Sequence, residues 1–136
     1  MPTPAVPQRQ LVLTSLPRLP PCADQAPGKV APENGTPGRY EVQHWLNYIS
    51  SEVHGSIGPL FNPANKGAIA DWNRANLERK LTYLNDKVMV GGKKYLVGDK
   101  FSVADSYLYI VLTWFPYLGL DVAAYPNLKV RAAFAP

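Results

Sequence analysis

Between Arg39 and Phe61 the apolar residues Val42, Leu46, Ile49, Val53, Ile57 and Leu60 recur at intervals of three and four, which places them on one face of a helix. Beside that stripe, Gln43, Asn47, Ser50 and His54 form a narrow polar strip without formal charge, while Glu41 and Glu52 lie on the other flank. Neutral hydrogen-bonding groups in a row suit a cleft wall or a domain interface; a solvent face that happens to lack charge is the alternative. The stretch "HGSIGPLF" then brings Gly55, Gly58 and Pro59. Pro59 has no N–H to give to the carbonyl of Gly55, so a kink or an early stop is expected there. "NPANKG" forms a turn in which Asn62 or Asn65 is available to cap the next helix.

A second helix is expected over about 68–90, with Ile69, Leu77, Leu81, Leu84 and Val88 inward and most charges outward. "VGGKK" ends it, and two helices joined by so short a turn should pack antiparallel. The third segment, "GDKFSVADSYLYI", sets Ser102 before an apolar run and Asp105 three residues on. That spacing is a capping box: the hydroxyl faces the amide of residue 105 and the carboxylate reaches back to the amide of Ser102. The negative charge also meets the positive end of the helix dipole. From Tyr107 to Leu120 no side chain is charged, so a buried central helix from Val103 to about Phe115 is expected. No histidine, serine or second carboxylate stands at a catalytic spacing from Asp105, which makes it architecture. "YPNLKVRAAF" opens a fourth helix, with Pro126 as its first residue and Leu128 and Phe134 facing inward. Apart from a short extended piece at 95–97 there is no strand signal, and the fold class is an all-α helical bundle.

Composition refines this outline. The 136 residues suit one domain, but nine of the 14 prolines fall within residues 1–39. Residues 1–22 are therefore expected to be a disordered Pro-rich tail, 23–39 a linker, and 40–136 the helical domain. The longest uncharged run, 106–120, is shorter than a bilayer requires. A single cysteine, Cys22, fits a reducing, cytoplasmic setting. The net charge of +4 is scattered and forms no stripe, which argues against nucleic acid as a partner. His44 and His54 are ten apart and offer no metal-ligand pair.

Taken together, "YLVGDKFSVADSYLY" resembles the fingerprint of the glutathione S-transferase family, in which Ser-x-x-Asp opens a buried helix of the C-terminal domain. "RYEVQHWLNYISSEVHGSIGPLFNP" looks like the fourth helix of its bacterial beta class, "LERKLTYLN" like the fifth, and "VLTWFPYLGLDVAAYPNLK" like the sixth and the start of the seventh. The resemblance covers about residues 23–131.

It implies conjugation of the glutathione thiolate to apolar electrophiles in detoxification, with glutathione as co-substrate and no bound cofactor, in a homodimer when the protein is complete. It also implies a thioredoxin-like domain ahead of the helices, and residues 1–22 show no βαβ pattern or Cys, Ser or Tyr motif of that kind. The chain is thus expected to be truncated and inactive alone. His54 matches a histidine placed near the glutathione sulfur, Trp114 matches a cleft aromatic, and Tyr117 would extend that wall. Gly55 stands where the family has a cation. A surface role for His54 and plain core packing for Trp114 remain open at this level. So do two other functions for the chain: a non-catalytic helical binding or interaction module, and a non-functional gene fragment.

Overall fold

Thr36 starts the first helix of the computed structural model, which describes residues 28–128. The expected tail over 1–22, the first part of the linker with Cys22 before it, and Phe134 lie outside the described residues. The Thr36 side-chain oxygen accepts from the Arg39 amide at 3.3 Å and its hydroxyl donates to the Glu33 carbonyl at 2.7 Å. Pro37 follows at the first helical position, where its missing N–H costs nothing. Helix α1 (Pro37–Tyr48) then passes without a break into a π-helical stretch, Ile49–His54, and a further turn, Gly55–Ile57. The inward stripe holds throughout: Val42, Leu46, Ile49, Val53 and Ile57 are all buried, and Leu60 is half-buried against them. At Pro59 the coil tightens into a 3-10 turn, Gly58–Phe61, the early end that the missing donor imposes.

Helix α2 (Ala68–Tyr83), continued by a second π-helical stretch at Leu84–Val88, begins differently from the sequence expectation. Gly67 is the N-cap at φ 59° and offers no side chain. Asn62 and Asn65 close the preceding turn instead: Asn62 Oδ1 accepts from the Ala64 amide, and Asn65 Nδ2 donates to the Pro59 carbonyl. Ile69, expected inward, is 57% exposed. Asn73 takes the buried position one turn later, with its amide donating to the Ile69 carbonyl at 2.8 Å, so its polarity is satisfied within the helix. Leu77, Leu81, Leu84 and Val88 are buried as the pattern requires.

The two helices run antiparallel. Asn76 Nδ2 donates to Ser56 Oγ, Lys80 pairs with Glu52, and the Tyr83 ring meets that of Tyr48, so rising numbers on α2 face falling numbers on α1. Tyr48 also donates its phenol hydrogen to the Lys80 carbonyl at 3.3 Å. Burial there, with Glu52 and Tyr83 adding to it, pushes the Tyr48 phenol up to about 12.

Helix α3 (Val103–Leu112) packs its Ala104, Leu108, Val111 and Leu112 side into the core, while Ile110 is 50% exposed. It stops earlier than expected. Pro116 removes a donor and disfavours helix at Phe115, and the chain turns into a 3-10 segment, Phe115–Leu118, that ends at Gly119 with φ 65°. Arg74 on α2 holds that segment by donating to the Leu118 carbonyl at 3.0 Å. Residues 95–97 form bends, and no strand occurs among the described residues. The fourth helix opens at Pro126 as expected, with Leu128 buried. Asn127 locks it to the end of α2 through paired hydrogen bonds with Asn85, its amide to Asn85 Oδ1 and its Nδ2 to the Asn85 carbonyl.

The capping box at α3 is present. Asp105 Oδ2 accepts from the Ser102 amide at 2.9 Å and from the Ser102 hydroxyl at 3.0 Å, while Oδ1 accepts from the Leu96 amide at 2.9 Å. Both Ser102 and Asp105 are buried, so water cannot stand in for either partner. Asp105→Ala should therefore cost about 3 kcal/mol, because cap and buried donors are lost together, and Ser102→Ala about 1 kcal/mol. Urea unfolding of both variants checks the order; equal midpoints would contradict it. Alkaline unfolding tests Tyr48. Its folded value lies above the ordinary one, so the stability it confers is complete below pH 10 and is lost as pH rises toward 12. Tyr48→Phe should flatten that alkaline limb, read as melting temperature against pH.

Candidate functional site

His54 closes the first π-helical stretch and Tyr107 sits one turn into α3, on neighbouring elements that the core holds together. Their contact is short: His54 Nδ1 lies 2.7 Å from the Tyr107 hydroxyl, with the rings edge-on at 5.9 Å between centroids. Trp114, just past the end of α3, meets the same imidazole edge-to-face at 5.0 Å. Phe61, from the 3-10 turn that ends the first helical run, packs on Trp114 at 6.0 Å. His54, Tyr107 and Trp114 are each half-buried, and Phe61 is 48% exposed. The result is an aromatic wall with one imidazole set in it.

The tyrosine decides which nitrogen of that imidazole is free. In the tautomer that carries its hydrogen on Nε2, Nδ1 accepts from the Tyr107 hydroxyl. No second hydrogen bond to the ring occurs among the described residues, which leaves Nε2–H as a donor for an anionic or lone-pair-bearing atom. The polar strip leads away from it along α1. Gln43 and Ser50 are half-buried and Asn47 is exposed, and no side-chain hydrogen bond engages these three groups among the described residues.

Of the residues named from sequence, the structure brings His54 and Trp114 together. Tyr117 stands apart, 83% exposed and outside the ring contacts of the wall. Tyr107 and Phe61 were not named. Tyr107 lies within the run taken as core helix, and only its polar tip, five residues past the N-cap, distinguishes it from its apolar neighbours. No group of three metal-ligating side chains occurs among the described residues, and no helix there is long and apolar enough to cross a membrane.

An all-helical bundle whose third helix is opened by a Ser-x-x-Asp box, with a histidine-bearing aromatic wall between its first and third helices, defines the class. The family model for the glutathione S-transferase C-terminal domain matches residues 48–130. The chain belongs to the glutathione S-transferase family. Among its relatives, glutathione S-transferase GstA of Escherichia coli O157:H7 is 38% identical over 94 residues, 68% of this chain and 45% of the relative. Glutathione S-transferase GST-4.5 of Xanthomonas campestris is 28% identical over 107 residues, covering 74% and 52% respectively. The chain spans about half the length of these relatives.

Solved structures agree. A ternary complex of BphK, a bacterial transferase of this family, superposes with a TM-score of 0.80 at 39% identity, over 87% of this chain and 58% of the other. A sphingomonad enzyme complexed with glutathione gives 0.80 at 36%, over 88% and 59%. The bacterial beta-class enzyme of Sphingomonas chungbukensis gives 0.79 at 32%, over 88% and 59%.

If Tyr107 orients His54 through the short hydrogen bond, the two residues must be coupled. Tyr107→Phe should cost about 1 kcal/mol, and it should cost much less once His54 is already alanine. Chemical unfolding of the two single variants and the double variant measures this. Simple additivity of the three values would break the assignment.

Proposed function

We propose that this chain forms the helical, electrophile-side half of a glutathione transferase site. In that reaction the sulfur of glutathione, as thiolate, forms a bond to an electrophilic carbon while the leaving group departs with the bonding pair. The observation that carries the reading is the His54–Tyr107–Trp114 cluster, in which Nδ1 is committed to Tyr107 and Nε2 is open, a donor in the tautomer in which Nδ1 accepts. A donor of that kind stabilises a thiolate by hydrogen bonding to its charged form. The aromatic face of Trp114 and Phe61 suits the apolar body of the acceptor, with Tyr117 as an exposed outer contact. Glutathione acts as co-substrate and no resident cofactor is involved. The resemblance assigns the rest of the glutathione site to a thioredoxin-like domain preceding the helices, and pairing of two copies to the flank of α1 and α2. There Trp45, Tyr48 and Tyr83 form a chain of ring contacts, with Tyr83 46% exposed. Thiol chemistry of this kind belongs in the reducing cytoplasm.

A second reading, a helical module that binds an apolar partner without catalysis, is favoured by one observation. Ile69 and Trp72 lie one turn apart on α2 and are 57% and 64% exposed.

Half a site binds weakly. Gly55 stands where the family has a cation, yet nothing in the backbone requires glycine: its φ is −60°, and an added Cβ would meet only the Ser50 carbonyl oxygen at an ordinary 3.5 Å. Titration calorimetry of the full chain should give glutathione affinity no better than millimolar, about −4 kcal/mol, and purified protein should show no conjugation. Gly55→Lys should strengthen binding several-fold by restoring a charge beside His54. Micromolar binding by the unaltered chain, or turnover that His54→Ala abolishes, would show a complete site and overturn the half-site reading.

A further inference from the structure

On the opposite end of α3 from Trp114, a cavity of about 180 Å³ lies between the incoming chain and the α3 cap. Its walls are apolar, chiefly Ala31, Val42, Val97 and Phe101, and two exposed lysines, Lys29 and Lys100, also line it. No carboxylate is among its lining residues, and neither lysine has a hydrogen bond or ion pair among the described residues. The surroundings are fixed. The Gly28 amide donates to the Ala31 carbonyl at 2.9 Å, with Gly28 at φ 77°, and the Val103 amide donates to the Val30 carbonyl at 2.9 Å. One wall is thereby tied to the first turn of α3, and Ser102 of the capping box lines the cavity as well.

We propose that this cavity is a binding site for a small aromatic carboxylate, separate from the wall around His54. Size and charge point the same way. A dry cavity of about 150 Å³ accommodates benzene, so a single ring fits here. An apolar chamber with two unpaired cations and no anion is complementary to a ligand with an apolar body and one negative end. The ring would lie against Val97 and Phe101, and the carboxylate at the mouth, within reach of the two exposed lysine side chains. Because the same chamber touches Ser102 and the segment whose Val30 carbonyl receives the Val103 amide, occupancy also clamps the incoming chain to the start of α3.

Benzoate is the probe, with benzyl alcohol as the neutral ring and acetate as the charge alone, each titrated into the full chain by NMR. Benzoate should saturate with shifts at Val97, Phe101 and Ala31, and should slow exchange of the Val103 amide. Benzyl alcohol and acetate should each bind at least about tenfold more weakly. Lys29→Gln with Lys100→Gln, two exposed changes that leave the core intact, should weaken benzoate by about tenfold or more and leave benzyl alcohol unchanged. Equal benzoate affinity in that double variant overturns the proposal. So does the absence of saturation, or a shift pattern centred on His54 and Trp114. None of these outcomes depends on glutathione binding, which is read separately at His54.

Discussion

Among the described residues, the Asp105 carboxylate joins donors from two segments: the amide and hydroxyl of Ser102, and the amide of Leu96 nine residues before it. Buried at 4% exposure, it sits where the first turn of α3 would otherwise leave its amides without water. One side chain thus does two jobs that are usually separate. It caps a helix, and it anchors the loop that follows α2, whose own Leu96 is buried in the core. A carboxylate suits both because its two oxygens accept several bonds at once, and charge-assisted bonds are stronger than neutral ones. The α3 amide next in line is taken by the Val30 carbonyl, so the incoming chain is fastened at the same point. Loop, helix start and entry segment converge there.

The local half of that junction was legible in sequence and the distant half was not. Ser102 and Asp105 are three apart, and a capping box is set by spacing alone. The bond to Leu96 depends on how a glycine-containing loop folds back, which no short-range pattern encodes. The same division runs through the rest of the fold. The stripe Val42, Leu46, Ile49, Val53, Ile57 was readable because burial of a helix face repeats along the chain. Ile69 was misplaced because its periodicity fits the core, while the turn at Asn62 and Asn65 delivers the start of α2 with Ile69 outward and Asn73 inward. At the site, His54 and Trp114 were named through a resemblance. Tyr107, which touches His54, was hidden in a run whose apolar composition pointed only to packing.

The π-helical stretches also escaped the reading, since a 3.6-residue template cannot register them. Ile49–His54 keeps its apolar residues buried while its hydrogen bonds widen, with the Gly55 amide reaching the Ser50 carbonyl. Single π turns within helices are frequent at functional sites, where they re-aim a side chain without breaking the rod. Here the residue that ends the stretch is His54. Its neighbours in sequence are held by the core on one side and by the Glu52–Lys80 and Ser56–Asn76 contacts on the other. The histidine is therefore presented by a segment that is locally irregular but fastened on both flanks.

Helix α3 links this to the junction at Asp105. Asp105 and Tyr107 are two positions apart, which turns them to different sides of the helix, one into the core and one toward His54. The cap sets where α3 starts and how it is rotated, and that rotation decides whether the Tyr107 hydroxyl falls within 2.7 Å of the imidazole. Trp114 is placed from the other end, by the stop at Leu112 and the Pro116 turn that Arg74 holds. A hydrogen bond tolerates little displacement, whereas an edge-to-face ring contact accepts centroid separations over a couple of ångströms. Disturbance of the cap must then reach the His54–Tyr107 bond before it reaches Trp114. The acidic residue is architectural, and the seating of the histidine against Tyr107 depends on that architecture.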